Sequence, residues 1–240
     1  MSRLRLSVTD LGPAQPIGLP PNSIGQLAEA WGGSGNWRAV WGDIEYLASR
    51  LFEVEGSQNQ ESGEIHRRWH HLVLAVGNFK RQAGMIEPTQ LAPRGSRGVS
   101  ARPTELTIPE TTAVVRRDVP STWQALTAIP GIGVPTATTL LSALWPGHHV
   151  IIDRRDVTAA VGLGPGSGWL GAPFDGAWLP DSLAWDWYEW LRSSIRATPG
   201  FTMVEIERSL YQLDRRIRSR LSSPWSWSDY RPTALEGLSP

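Results

Sequence analysis

Apolar side chains recur at intervals of three and four along most of the chain, and stretches rich in Gly and Pro separate the periodic segments. That spacing collects them on one face of a helix. From residue 37 to about 55 the apolar positions are Val40, Trp41, Ile44, Leu47, Ala48, Leu51 and Phe52, with Asn36 placed to cap the start. The polar run 56–63 breaks this pattern, and a second helix is predicted from 64 to about 85 through Ile65, Trp69, Leu72, Val73, Val76, Phe79 and Lys80. A short helix over 122–129, capped by Ser121, leads into Pro130-Gly131-Ile132-Gly133, which reads as a tight turn. Pro135 then suits the first turn of a helix reaching about 144, with Ala137, Leu140, Leu141 and Leu144 as its stripe. Trp145-Pro146-Gly147 stops it. Residues 148–152 form a short apolar approach to Asp153, and another helix starts at Arg154. Two further helices are predicted over 185–196 and from 202 to about 221. Strand signals are confined to 112–116 and 150–152, so the predicted class is mainly α.

The same punctuation divides the chain. Residues 1–22 read as an irregular N-terminal arm, 23–85 as a helical lobe and 86–112 as a linker or loop. Residues 113–161 carry the turn and Asp153, and 162–240 supply C-terminal helices that complete the lobes, with Trp225, Trp227 and Tyr230 in packed irregular structure.

Composition changes this picture in three ways. No window reaches the roughly 18 apolar residues of a membrane span, and the first ten residues lack the apolar core of a signal peptide, so a cytoplasmic monomer without a membrane partner is expected. There is no cysteine, which removes thiolate zinc and iron–sulfur chemistry, and no metal or cofactor is expected. Formal net charge is zero, and Lys80 is the one lysine among 23 basic side chains, the others being Arg. A mechanism that needs a lysine amine therefore has one candidate. The 13 tryptophans serve mainly as core, with a minority free to stack on bases.

The chemistry concentrates around the turn. Glycines at 131 and 133 permit conformations and close approaches that a Cβ forbids. The helix that follows opens with amides lacking intrahelical partners, and these suit a phosphate without any net positive charge. The alternative at this level is an ordinary corner between two helices.

The run from Leu126 to Leu141, LTAIPGIGVPTATTLL, followed by Val150-Ile151-Ile152-Asp153, resembles the signature of the helix-hairpin-helix DNA glycosylase superfamily. A weaker similarity at 204–210, Val-Glu-Ile-Glu-Arg-Ser-Leu, points to the bacterial branch related to 8-oxoguanine glycosylases. The resemblance is strong over about 121–161. It implies a two-lobed helical fold with a DNA groove between the lobes, and a flipped-out modified base in double-stranded DNA as substrate. Asp153 becomes the catalytic carboxylate. Gly131, Ile132, Gly133, Pro135, Thr136, Arg154 and Arg155 become DNA contacts. Trp69, Trp145, His148, His149, Trp185 and Trp187 are candidates for the base pocket. The resemblance also allows a monovalent cation at the hairpin. Pro135 stands where members that cut the backbone carry a lysine, so base removal without strand cleavage is implied.

Breaking an N-glycosidic bond develops positive charge on the sugar, which a carboxylate stabilises while orienting a water. Asp153 also reads as a plain N-cap for the helix after it. Asp156 is a second carboxylate, nearly one turn further on. The competing reading is a helix-hairpin-helix protein that binds DNA without catalysis. A third reading keeps the chemistry but directs it at modified bases of foreign DNA.

Overall fold

The computed structural model describes residues 6–31, 37–51, 58–82, 126–127, 132–165, 173–174, 183–220 and 225–230. These residues are mainly helical. The helices are α1 (Val8–Leu11), α2 (Pro21–Ala30), α3 (Trp37–Ser49), α4 (Gln58–Gln82), α5 (Val134–Leu144), α6 (Arg154–Leu163), α7 (Trp185–Ala197) and α8 (Met203–Arg220). The only strands among the described residues are β1 (Pro173–Phe174) and β2 (Trp225–Ser226), paired antiparallel, and Trp227–Tyr230 closes the described chain as a 3-10 turn. The chain divides into two compact units: residues 1–31 with 146–240, and residues 32–145.

The 32–145 unit contains α3, α4 and α5, each packed on the other two. Its core is apolar: Trp41, Ile44 and Ala48 from α3 and Leu51 just beyond it meet Trp69, Leu72, Val73, Val76 and Phe79 from α4, with Leu140 and Leu141 from α5. The rings of Trp41 and Phe79 lie 5.3 Å apart. Helix α4 begins at Gln58, inside the run read as a break, because a first turn of polar residues leaves no apolar signal. Its buried Lys80 shares the apolar face with Phe79.

In the other unit α8 is central, packing along α2 and α6. Side chains stitch these elements through the backbone. Ser209 Oγ donates to the Ile24 carbonyl at 2.9 Å, and Gln212 Nε2 to the Ala30 carbonyl at 3.2 Å. Thr198 Oγ1 accepts from Ile17 N–H at 2.8 Å, which fastens the N-terminal segment to the end of α7. Helix α8 starts with a reciprocal cap: Glu205 N–H reaches Thr202 Oγ1 at 3.2 Å, and Thr202 N–H reaches Glu205 Oε2 at 2.8 Å.

Several expectations change here. The arm contains α1, and α2 begins at Pro21, whose fixed φ starts the helix while only Ile24 and Leu27 mark its buried face. Residues 150–152 are buried but form no strand; the segment follows His148 and His149, which are held by Arg192 and Tyr188, and leads into α6. The other strand candidate, 112–116, and the linker 86–112 lie outside the described residues. No described helix is long and apolar enough to cross a membrane.

Candidate functional site around Asp153

Asp153 stands at the end of a segment held along its length. Arg192, itself buried, donates from Nε to the His148 carbonyl at 2.6 Å. The buried His149 ring meets the Tyr188 hydroxyl through Nδ1 at 2.7 Å. Val150, Ile151 and Ile152 then bury their side chains. Backbone polar groups of a buried extended segment must be satisfied or placed against solvent, so such pinning fixes where the next residue points.

That residue is the N-cap of α6. Asp153 has extended backbone angles (φ −134°, ψ 156°), and its Oδ1 accepts from Arg155 N–H at 2.7 Å. Its Oδ2 takes no hydrogen bond from the described residues. Asp153 is 9 % exposed, whereas Asp156, on the same first turn, is 0 % exposed. Of the two carboxylates, Asp153 is the less deeply buried.

Around the same turn lies a polar cluster. Asp214, on α8 and fully buried, accepts from the Tyr230 hydroxyl at 2.5 Å, from Arg218 Nε at 2.6 Å and from Arg155 Nη1 at 3.3 Å. Burial pushes its carboxyl up, opposed by Arg218, by Tyr230 and by Arg155. Burial also raises the Tyr230 hydroxyl, as does the Asp214 charge. Tyr211 is pushed up to about 12, chiefly by burial and then by the charge of Asp153, with Asp156 adding to it and Arg155 and Arg215 opposing it. The Arg155 guanidinium lies 5.6 Å from the Tyr211 ring centre. Tyr230 presses on α6 so closely that a Cβ at Gly162 would stand 2.5 Å from its ring.

The residues read from sequence fall in both units. Pro130 and Gly131 lie outside the described residues. Ile132 is buried and Gly133 is exposed. Gly133 is the N-cap of α5 with φ −85°, an ordinary value, and a Cβ there would meet only Pro135 Cδ at 3.9 Å. The expectation that Gly133 serves a conformation forbidden to other residues is therefore corrected: what glycine leaves is open space on the outer side. Helix α5 starts at Val134, so Pro135 is its second residue and removes one amide from the first turn. Gly133 offers no side-chain cap, and the amides of Val134 and Thr136 stay available. Thr136 is half-buried.

Among the pocket candidates, Trp69 is buried in the core of the 32–145 unit, and Trp145 ends α5, half-buried. His148 is exposed, and His149 joins Tyr188 and Trp185, whose ring lies 5.1 Å from that of Tyr188. Trp187 points into the core. Arg154 is exposed and Arg155 half-exposed. No group of three His, Asp or Glu able to hold a metal occurs among the described residues.

Asp214, Tyr211, Arg218 and Tyr230 were not singled out from the sequence. One signal was there: Asp214 interrupts the apolar stripe Leu210, Leu213, Ile217, and a charge in such a stripe is buried with partners. Comparison with known proteins identifies no relative: no protein-family profile, no curated protein and no solved structure matches the chain.

Proposed function

We propose that the chain is a monofunctional DNA glycosylase that hydrolyses the N-glycosidic bond of a modified base turned out of a duplex. The observation that carries this reading is the state of Asp153: a carboxylate fixed through one oxygen by the amide of Arg155, with the other oxygen taking no hydrogen bond from the described residues. An anionic group held rigidly beside the sugar stabilises the developing oxocarbenium ion and orients the attacking water. The exposed, side-chain-free position at Gly133 and the first amides of α5 suit a phosphate. On this reading the two compact units are the lobes of a helix-hairpin-helix glycosylase fold. The slot at Pro135 supplies no amine, and Lys80 is buried among apolar residues of α4, which supports hydrolysis without strand cleavage.

The test is a panel of duplexes carrying oxidised, alkylated, deaminated and hypermodified bases. The expected result is at least one duplex that breaks after alkali and stays intact without it. Tight DNA binding with no base released from any duplex would leave a binding protein instead. Breakage without alkali would place a lyase at the site.

A further inference from the structure

A pocket lies where the segment before α2 crosses the C-terminal ends of α6 and α7, within one compact unit. Its volume is about 240 Å³, the open mouth included, and its inner end has room for about one oxygen-sized group. Pro13, Pro16 and Ile17 line it from the N-terminal segment, Ala160 and Pro165 from in and just beyond α6. Trp190 and Ser194 complete the lining from α7. They are four residues apart and so share one face of the helix. Trp190 is 6 % exposed and Ser194 2 % exposed, yet neither the indole Nε1 nor the Ser194 Oγ has a hydrogen-bond partner among the described residues. Buried polar groups are bonded in all but a few cases, so two orphans on one pocket mark a place built to hold an occupant.

We propose that this pocket is a site for a small neutral molecule with an amide or lactam carbonyl, whose oxygen accepts from Trp190 Nε1–H and from the Ser194 hydroxyl. The site goes beyond the glycosylase reading and does not depend on it: Asp153 stands at the other end of α6, about 15 Å away along the helix axis. The orphaned groups set the chemistry of the ligand. An indole N–H only donates, and the Ser194 hydroxyl, which is not bonded back to its own helix, can donate beside it. A carbonyl oxygen has two lone pairs and no proton of its own, so it takes both bonds. No charged side chain is among the described lining residues, and the C-terminal ends of α6 and α7 carry partial negative charge, which disfavours a carboxylate or a phosphate. Gln15 is exposed at the mouth, where its amide oxygen suits the N–H of the same ligand. The proline rings and the indole take the apolar remainder.

The experiment is a titration of the ¹⁵N-labelled chain with 2-pyrrolidinone, followed at the indole N–H signal of Trp190, which Trp190→Phe identifies by deleting it. The expected result is a downfield shift that saturates at concentrations on the order of 10 mM, as for a fragment of this size. Ser194→Ala is expected to weaken binding about three- to tenfold, the loss of one hydrogen bond. Gln15→Ala, at an exposed position that leaves the core untouched, is expected to weaken it several-fold. Acetate is expected to leave the Trp190 signal unmoved. No saturable shift with 2-pyrrolidinone would overturn the site, and a long-lived water contact at the Trp190 indole in its place would assign the pocket to water alone. An equal shift with acetate would overturn the neutral ligand class. Wild-type affinity in both Ser194→Ala and Gln15→Ala would overturn the placement of the ligand.

Discussion

The two compact units hold themselves together by different physics. In residues 32–145 the cohesion is apolar: tryptophan, leucine, isoleucine, valine and phenylalanine side chains from three helices meet, and the buried hydroxyls of Thr138 and Thr139 bond back to their own helix at Val134 and Pro135. In the other unit the core is crossed by polar bonds between residues distant in sequence, such as Tyr230 with Asp214, Ser209 with Ile24 and Ile17 with Thr198. An apolar core tolerates rearrangement, whereas a buried charge fixes its partners in one geometry or costs several kcal/mol. The unit crossed by polar bonds is the one that contains Asp153.

Paired truncations sharpen this contrast most. Asp214→Ala leaves the Tyr230 hydroxyl and Arg218 facing a void, and is expected to cost about 3–5 kcal/mol in denaturant unfolding. Leu140→Ala, in the apolar unit, is expected to cost about 2–5 kcal/mol through lost burial and a cavity. Equal stability of Asp214→Leu and wild type would show that shape alone matters at that position. Gly162→Ala drives a methyl group into the Tyr230 ring, and an expected loss of about 1–3 kcal/mol in the same measurement reports how firmly the 3-10 turn is fastened. Thr202→Ala removes the cap at the start of α8, for about 1 kcal/mol, visible as a small drop in Tm.

The pH dependence separates the units without mutation at neutral pH. Tyr211 and Tyr230 belong to the unit of Asp153 and are buried, while Tyr46, in the apolar unit, is exposed. The unfolded chain releases a tyrosine proton near pH 10, and folded Tyr211 retains it to about 12. Stability from this group is therefore complete below about pH 10 and is lost as pH rises toward 12. Tm is expected to fall across that window, and Tyr211→Phe to flatten the fall. An unchanged Tm from pH 9 to 12 would contradict the buried placement of both rings.

Legibility in the sequence follows the same division. The helices around Trp41, Leu72, Leu140, Val157, Trp187 and Leu210 were readable because packing writes a period of three and four into the chain. Helix α2 was missed because two apolar residues are too few to establish a period, and the start of α4 because its first turn is polar. The strand expected at 150–152 failed for a reason local pattern cannot see: a short apolar run is the same whether it pairs with a neighbour or is pinned by Arg192 and Tyr188. Of the candidate site, Asp153 and Arg155 were named through the resemblance around the hairpin, since their place ahead of and within a helix alone also suits a plain cap and a solvated face. Their supports could not be named, because Asp214 and Tyr230 lie 59 and 16 residues from their partners. Periodicity carries no information over such separations.

Asp153→Asn tests the central claim most directly, because asparagine caps a helix as well as aspartate and changes only the charge. The measurement is single-turnover base release on whichever duplex loses a base to the wild-type chain, with Tm and abasic-duplex affinity recorded for the same protein. The predicted result is a rate lower by about a thousandfold or more, with Tm and affinity near wild type. Base release by Asp153→Asn at the wild-type rate would contradict the assignment.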